Sequence, residues 1–267
     1  MSASLASIAQ LRLYPVKALD PVAVNEATFL ASGALTGDRR FAIVDSTGNF
    51  VNGKRNAKIH SLRSHFELAT GVLSLYAQGP EPVEAFHLEQ EVDHLEAWLS
   101  SYFGFPVQIV QNLEMGFPDD TISPGPTIVS TATLELVASW FPDLTVEEVR
   151  RRFRANIEIA GVPAFWEDHL FAKANETVLF QLGAVQLMGV NPCQRCVVVT
   201  RNSQTGAVYP NFQKNFVAKR QETLPDWTER SRFNHFFRLA VNTRVAASEC
   251  GKAIRIGDEI NIYADDR

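Results

Sequence analysis

Cysteine is scarce. Three among 267 residues, at positions 193, 196 and 250, exclude a disulfide scaffold, which needs dense and usually paired thiols. Long apolar runs are missing too: no stretch reaches the roughly 20 residues that cross a bilayer, and Val197-Val198-Val199 is typical of the longest strongly apolar pieces. The opening Met1-Ser2-Ala3-Ser4-Leu5-Ala6 carries no basic segment leading into an apolar one, so no secretory leader is expected. A soluble cytoplasmic protein without membrane attachment is the expectation. A basic excess is also absent, with 25 Lys+Arg against 30 Asp+Glu and a formal charge of −5. Proteins that live on nucleic-acid phosphates are usually basic, so nucleic acid is disfavoured as a partner. What is present is ordinary globular material, 46% hydrophobic and 21% charged, enough for one large domain or two modest ones.

The first hundred residues pattern as short strands: Ile8 to Val16, Val22 to Phe29, Phe41 to Asp45, and a hairpin around Thr70-Gly71. Leu88, Val92, Leu95, Leu99 and Tyr102 recur at helical spacing and stop at Gly104. Turn formers crowd Gly116 to Pro126, and we place a domain boundary there, dividing the chain into 1–115 and 116–267. Beyond it, Ser130 reads as the N-cap of a helix over Thr131 to Trp140. Thr145 with Glu148 reads as a capping box that opens a helix running into Arg150-Arg151-Arg152. Strands are expected at Ile157 to Ile159, Val178 to Val190 and Val197 to Arg201. A helix is expected over Thr228 to Phe237, and two strands flank Gly257-Asp258. The fold class is α+β and β-rich: an N-terminal β-barrel-like domain, then a second β-barrel domain with attached helices.

Two features carry chemistry. Cys193-Gln194-Arg195-Cys196 sets two thiols three residues apart. Zinc would need about four ligands, a thioredoxin-like pair would need a helix after the cysteines, and two unreactive thiols in a turn are the bland reading. Arg195 argues against the last, because a guanidinium favours thiolate. The second feature is basic density in an acidic chain. In Arg152-Phe153-Arg154-Ala155-Asn156, strand periodicity would place Arg152, Arg154 and Asn156 on one face, opposite Phe153 and Ala155. Such a face suits a phosphate or a polar ring edge. Lys17 and the run Asp38-Arg39-Arg40-Phe41 pose the same question. Trp98, Trp140, Trp166 and Trp227 read as packing, and His87, His94 and His235 as surface residues.

Tyr14-Pro15-Val16-Lys17, Gly37-Asp38-Arg39-Arg40-Phe41, Arg152-Phe153-Arg154-Ala155-Asn156-Ile157, and Cys193-Gln194-Arg195-Cys196 with Thr200 and Thr205-Gly206 follow one another in that order. From Ile8 to Ile262 the chain thereby resembles a MOSC-domain protein with its N-terminal β-barrel domain, of the type found in amidoxime-reducing components and bacterial 6-hydroxylaminopurine reductases. The resemblance implies a molybdenum–molybdopterin cofactor with Cys196 as thiolate ligand to the metal. It also implies Lys17, Arg40, Ser130, Arg154, Asn156, Gln194 and Arg195 as cofactor contacts. Asp168, beside His169, falls where the family has an acidic pair, and a proton-relay role there is the expectation.

The implied activity is reduction of N-hydroxylated compounds such as amidoximes, hydroxylamines and hydroxylated bases. An alternative is a module that binds the cofactor, or carries sulfur as a persulfide on Cys196, without turnover. Some bacterial relatives carry a [2Fe–2S] domain, whose cluster needs four thiolates. With three cysteines and an end at Arg267, this chain is expected to take electrons from a separate ferredoxin, flavodoxin or cytochrome b5-like protein. Departures from the family pattern are Ala18, where serine is frequent, Ala155, where proline is common, and Lys54, where arginine is frequent.

Overall fold

Glycine-centred turns cut the chain into short strands much as the patterning predicts. A computed structural model describes residues 6–77 and 83–263; Met1 to Leu5, part of the segment read as lacking a leader, lie outside them. In chain order the elements are β1 (Ser7–Leu13), β2 (Val22–Val24), β3 (Glu26–Thr28), β4 (Phe41–Asp45), β5 (Leu62–Glu67), β6 (Val72–Ala77), β7 (Glu84–His87), α1 (Val92–Phe103), β8 (Val107–Gln111), β9 (Ile128–Ser130), α2 (Thr131–Ser139), α3 (Val146–Phe153), β10 (Ile157–Ala160), β11 (Val178–Leu182), β12 (Val185–Gln194), α4 (Phe212–Glu222), β13 (Arg238–Val245), β14 (Ala253–Arg255) and β15 (Ile260–Ile262). The protein is α+β and β-rich, and no helix among the described residues is long and apolar enough to cross a membrane.

The main sheet runs β15-β11-β12-β13-β9-β10-β1-β2, antiparallel except for β9 beside β10. Its two ends approach one another. Ser7 bridges Glu259, and the Ile8 amide donates to the Asp258 carbonyl at 2.9 Å, so the sheet curls into a barrel-like form. Ile8, Leu11 and Leu13 of β1 pack with Phe180, Leu187, Val241 and Ile254 in one core. The chain's first strand therefore belongs to the same sheet as its second half. A separate core holds Phe41, Ile43, Leu62 and Leu75 against Leu95, Leu99 and Phe103, which form the buried face of α1. Burial of each such side chain is worth about 1.5–3 kcal/mol. Gly104 ends α1 in the left-handed conformation (φ 82°) that its missing Cβ permits. A third core gathers α2, α3 and α4 through Leu134, Val137, Phe153, Phe212 and Phe216.

Two expectations need correction. Val197 to Thr200 is a 3-10 turn, not a strand: the Thr200 hydroxyl donates to the Val197 carbonyl at 2.8 Å and the Arg201 amide to Val198 at 3.1 Å. Local bonds override the β-branched run. Thr228 to Phe237 is not a helix; only Arg230–Arg232 makes a 3-10 turn, and the Thr228 hydroxyl donates to Asp168 at 2.8 Å. The helix of this region lies earlier, at α4.

Candidate functional site

The Tyr14–Lys17 segment and the Asp38–Phe41 turn are stitched side by side. The Tyr14 amide donates to the Asp38 carboxylate at 2.8 Å, the Arg39 amide to the Tyr14 carbonyl at 2.8 Å, and the Lys17 amide to Phe41 at 2.8 Å. Arg39 takes a left-handed backbone (φ 50°), which turns its side chain inward. The guanidinium pairs with Asp38, lies 5.0 Å from the Tyr14 ring centroid and comes within 3.5 Å of Asn156 Oδ1. Lys17 Nζ donates to the Phe117 carbonyl at 2.8 Å and to Asp119 at 2.6 Å. Burial pulls this ammonium below the ordinary lysine range, against the opposing pull of Asp119.

From the second half, α3 ends at Arg154, a left-handed C-cap (φ 54°). Arg152 therefore sits in the last helical turn and Asn156 just ahead of β10, so the shared face of Arg152, Arg154 and Asn156 comes from a helix end and not from strand alternation. The Arg154 guanidinium rests 4.1 Å over the Tyr14 ring, and the side chain makes no hydrogen bond or ion pair among the described residues. Asn156 is buried; its amide donates to the Arg12 carbonyl at 3.1 Å and its oxygen accepts from Thr127 at 3.3 Å.

The third wall is the end of β12. Its ladder with β13 shifts register between Pro192 and Gln194, so the chain bulges where the thiol pair begins. Arg195 Nη1 lies 3.1 Å from Cys193 Sγ, not against Cys196, and Nη2 holds the Phe153 carbonyl. Cys196, half-buried, opens the 3-10 turn.

These walls enclose a cavity of about 500 Å³. Lys17, Arg154, Asn156, Gln194, Arg195 and Cys196 all line it. Ten Lys and Arg side chains face it against three aspartates, although the whole chain is acidic. Five of the ten have carboxylate partners; Lys54, Arg154, Arg195, Arg201 and Arg238 have none among the described residues. Buried donors without partners also cluster here, including Nε of Arg63, Arg195, Arg201 and Arg238. Unmatched buried N–H groups are unfavourable by about 1–3 kcal/mol each, and the excess of Lys and Arg over Asp makes the lining cationic. Two free thiols, Cys193 and Cys196, line it beside the guanidiniums, a donor set that would suit a phosphorylated, metal-carrying dithiolene. No group of three or more His, Cys, Asp or Glu that would hold a metal by itself occurs among the described residues. Ala18, on the same wall, adopts φ 72° and offers no hydroxyl.

Three expected residues lie elsewhere. Arg40 points out of this cavity, pairing with Glu89 and stacking 5.0 Å from the Phe41 ring; Arg39 occupies the place expected for it. Ser130 does cap α2, accepting from the Thr133 amide at 3.1 Å, but it is fully buried and faces the interior. Asp168, expected as a proton relay, does not reach this cavity. It is buried against Arg220 and Thr228 and does not line the wall. The residues that sequence reasoning missed, His60, Arg63, Arg201 and Arg238, stand singly in unremarkable stretches and carried no local signal.

Behind Ser130 lies a buried cluster. Thr133 Oγ1 donates to Glu167 at 3.0 Å, while the other Glu167 oxygen has no hydrogen-bond partner among the described residues. Burial and the neighbouring Asp168 push Glu167 up to about 7 from its ordinary 4.5. The folded state then binds a proton that the unfolded chain releases, so stability falls as pH rises from 4.5 to 7 and stays low above that. Glu167→Gln is expected to gain about 3 kcal/mol relative to wild type between pH 4.5 and 8. Denaturant unfolding at the two pH values checks this, and an unchanged difference between the two proteins would refute it.

Comparison with known proteins agrees with the architecture. Residues 5–101 match the MOSC N-terminal beta barrel domain, and residues 127–261, half of the chain, match the MOSC domain. The chain belongs to the MOSC family. It is 23% identical over 252 residues to the molybdenum cofactor sulfurase of Homo sapiens and 24% identical over 255 residues to that of Bos taurus. Each match covers 74% of this chain and 27% of the relative, so the chain spans little more than a quarter of their length. The crystal structure of the YUAD protein from Bacillus subtilis matches at 11% identity over 98% of this chain and 97% of that one, with a TM-score of 0.39.

Proposed function

We propose that the protein is a molybdenum-cofactor-dependent reductase of N-hydroxylated compounds, supplied with electrons by a separate protein. The observation that carries this reading is the convergence of Cys196, Lys17, Arg154, Asn156 and Arg195 on one cation-rich cavity. When bound, molybdenum–molybdopterin supplies two-electron removal of oxygen from nitrogen. The balance is R–NH–OH plus two electrons and two protons giving R–NH2 and water. Cys196 would hold the metal as thiolate, a soft ligand suited to it. Lys17, Arg39 and Arg154 would anchor the anionic end of the cofactor, with Gln194 and Arg195 beside the metal ligand. Asn156 would present a fixed amide, its oxygen and nitrogen already oriented by Thr127 and Arg12. The test is reduction of benzamidoxime to benzamidine by the cofactor-loaded chain with a chemical electron donor. Benzamidine formation supports the reading, and its absence in molybdenum-loaded protein contradicts it.

The sulfurase relatives favour a second reading, a persulfide or cofactor carrier. Cys193 and Cys196 both line the cavity. Stoichiometric thiocyanate on cyanolysis, without bound molybdenum, would select this alternative.

A further inference from the structure

We infer that the rim of the cavity mouth, with Lys54, Arg55 and Lys58 on one side and Arg230, Arg232 and Arg238 on the other, is the docking face for an acidic electron-carrier protein. The inference rests on the reductase reading, whose two electrons per turnover come from a separate protein, and adds where that protein sits and what charge it carries. The mouth lies at Cys196, which is half-buried between exposed Gln194 and Val197, the latter 48% exposed. On one side, the loop carrying Lys54, Arg55 and Lys58 lies against the turn that follows Cys196. A Cβ on Gly53 would come 3.3 Å from Val198, and one on Gly206 would come 3.3 Å from the Ala57 carbonyl. On the other side, Arg238 donates to the Pro192 carbonyl at 2.9 Å, just ahead of the thiol pair, and Arg232 lies close enough to disfavour its charge. Arg230 lies over Phe236, whose neighbour Phe237 accepts from the Arg195 amide at 3.0 Å.

Lys54, Arg55, Lys58 and Arg230 are exposed, and none of the six cations is ion-paired to a carboxylate among the described residues. Lys58, Arg232 and Arg238 hold backbone carbonyls instead. Two nearby acids are already engaged, Asp119 by Lys17 and Glu229 by the Ser231 amide. A chain of formal charge −5 thus turns a cationic face to solvent around the opening at Cys196. An acidic carrier is repelled by the chain as a whole and attracted at this face, which steers and orients the encounter. Val197 and Val208, the second 63% exposed and bridged to Arg201, add apolar contact at the same place. Encounters between electron-transfer proteins bury little surface, so a rim of this kind is enough to support one.

The test uses the full chain loaded with cofactor and a plant-type [2Fe–2S] ferredoxin, a strongly acidic carrier. Calorimetry at low salt is expected to show saturable binding that weakens as ionic strength rises. Arg55→Glu combined with Arg230→Glu, neither of which lines the cavity, should weaken binding by ~10-fold or more. Lys252→Glu combined with Arg255→Glu makes the same charge change away from the mouth and should not. Ferredoxin-driven reduction of benzamidoxime should fall with binding in the rim variant, while reduction driven by methyl viologen stays at the wild-type rate. Circular dichroism confirms that each variant is folded. Absence of ferredoxin binding, equal weakening by the two variants, or undiminished binding after reversal at the rim would overturn the docking face. Failure of both donors to reduce benzamidoxime in molybdenum-loaded wild type would instead contradict the reductase reading, and the binding arm decides the docking face without turnover.

Discussion

Cys196→Ala is expected to bring benzamidoxime reduction below ~1% of wild type while leaving the fold intact. Outer-shell partners of a metal ligand typically contribute 10–100-fold, so loss of the ligand itself falls at or beyond the top of that range. The fold should be indifferent, because Cys196 is half-buried at the cavity and belongs to none of the three cores. Alanine also tolerates the extended backbone found there (φ −99°, ψ 174°). Cys250→Ala, at an exposed position outside the cavity, is the matched control and should retain full turnover. Steady-state rates with a chemical donor, alongside thermal unfolding, decide the matter. Undiminished rates in the folded Cys196 variant would remove the metal ligand from the account.

The largest stability effect is expected at Arg220. This residue of α4 is 1% exposed, stacked 3.8 Å from the Phe165 ring centroid, and paired with Asp168, itself 4% exposed. Burial pushes the Asp168 carboxyl up, with Arg220 and Thr228 pulling against that shift. Arg220→Met would strand a buried carboxyl, a change that destabilises by about 3–5 kcal/mol and lowers Tm by roughly 6–20 °C in a chain of this size. Removing both charges, as in Arg220→Met with Asp168→Leu, should recover most of the loss, since no unpaired charge remains. Equal losses in the single and double variants would show that Arg220 acts through packing on Phe165 alone.

The pair also explains why the acidic residue legible in sequence is not at the site. Asp168 was readable as an acid near a family motif, but its partner Arg220 lies 52 positions away in a helix with little periodic signal. The buried stripe of α4 is Phe212, Phe216 and Arg220, so one of its three inward positions is charged. A hydrophobic pattern cannot announce such a helix. Ser130 was read correctly as a cap, yet a cap satisfies the backbone of its own helix and says nothing about which way the helix start faces. Arg39, with a left-handed backbone (φ 50°), lines the cavity where Arg40 was expected, next to Asp38, whose carboxylate accepts from the Tyr14 amide 24 positions away. Lys17, Arg154, Asn156, Arg195 and Cys196 were legible because each sits in a compact local motif. Even there, Arg152, Arg154 and Asn156 meet through a left-handed helix cap, where alternation along a strand was expected.

Elemental analysis of protein made in a cofactor-competent host bears most directly on the central claim. The account predicts about one molybdenum per chain for wild type, with molybdopterin recovered from the same sample, and strongly reduced metal in Cys196→Ala. Folded wild-type protein that carries neither molybdenum nor pterin would contradict it.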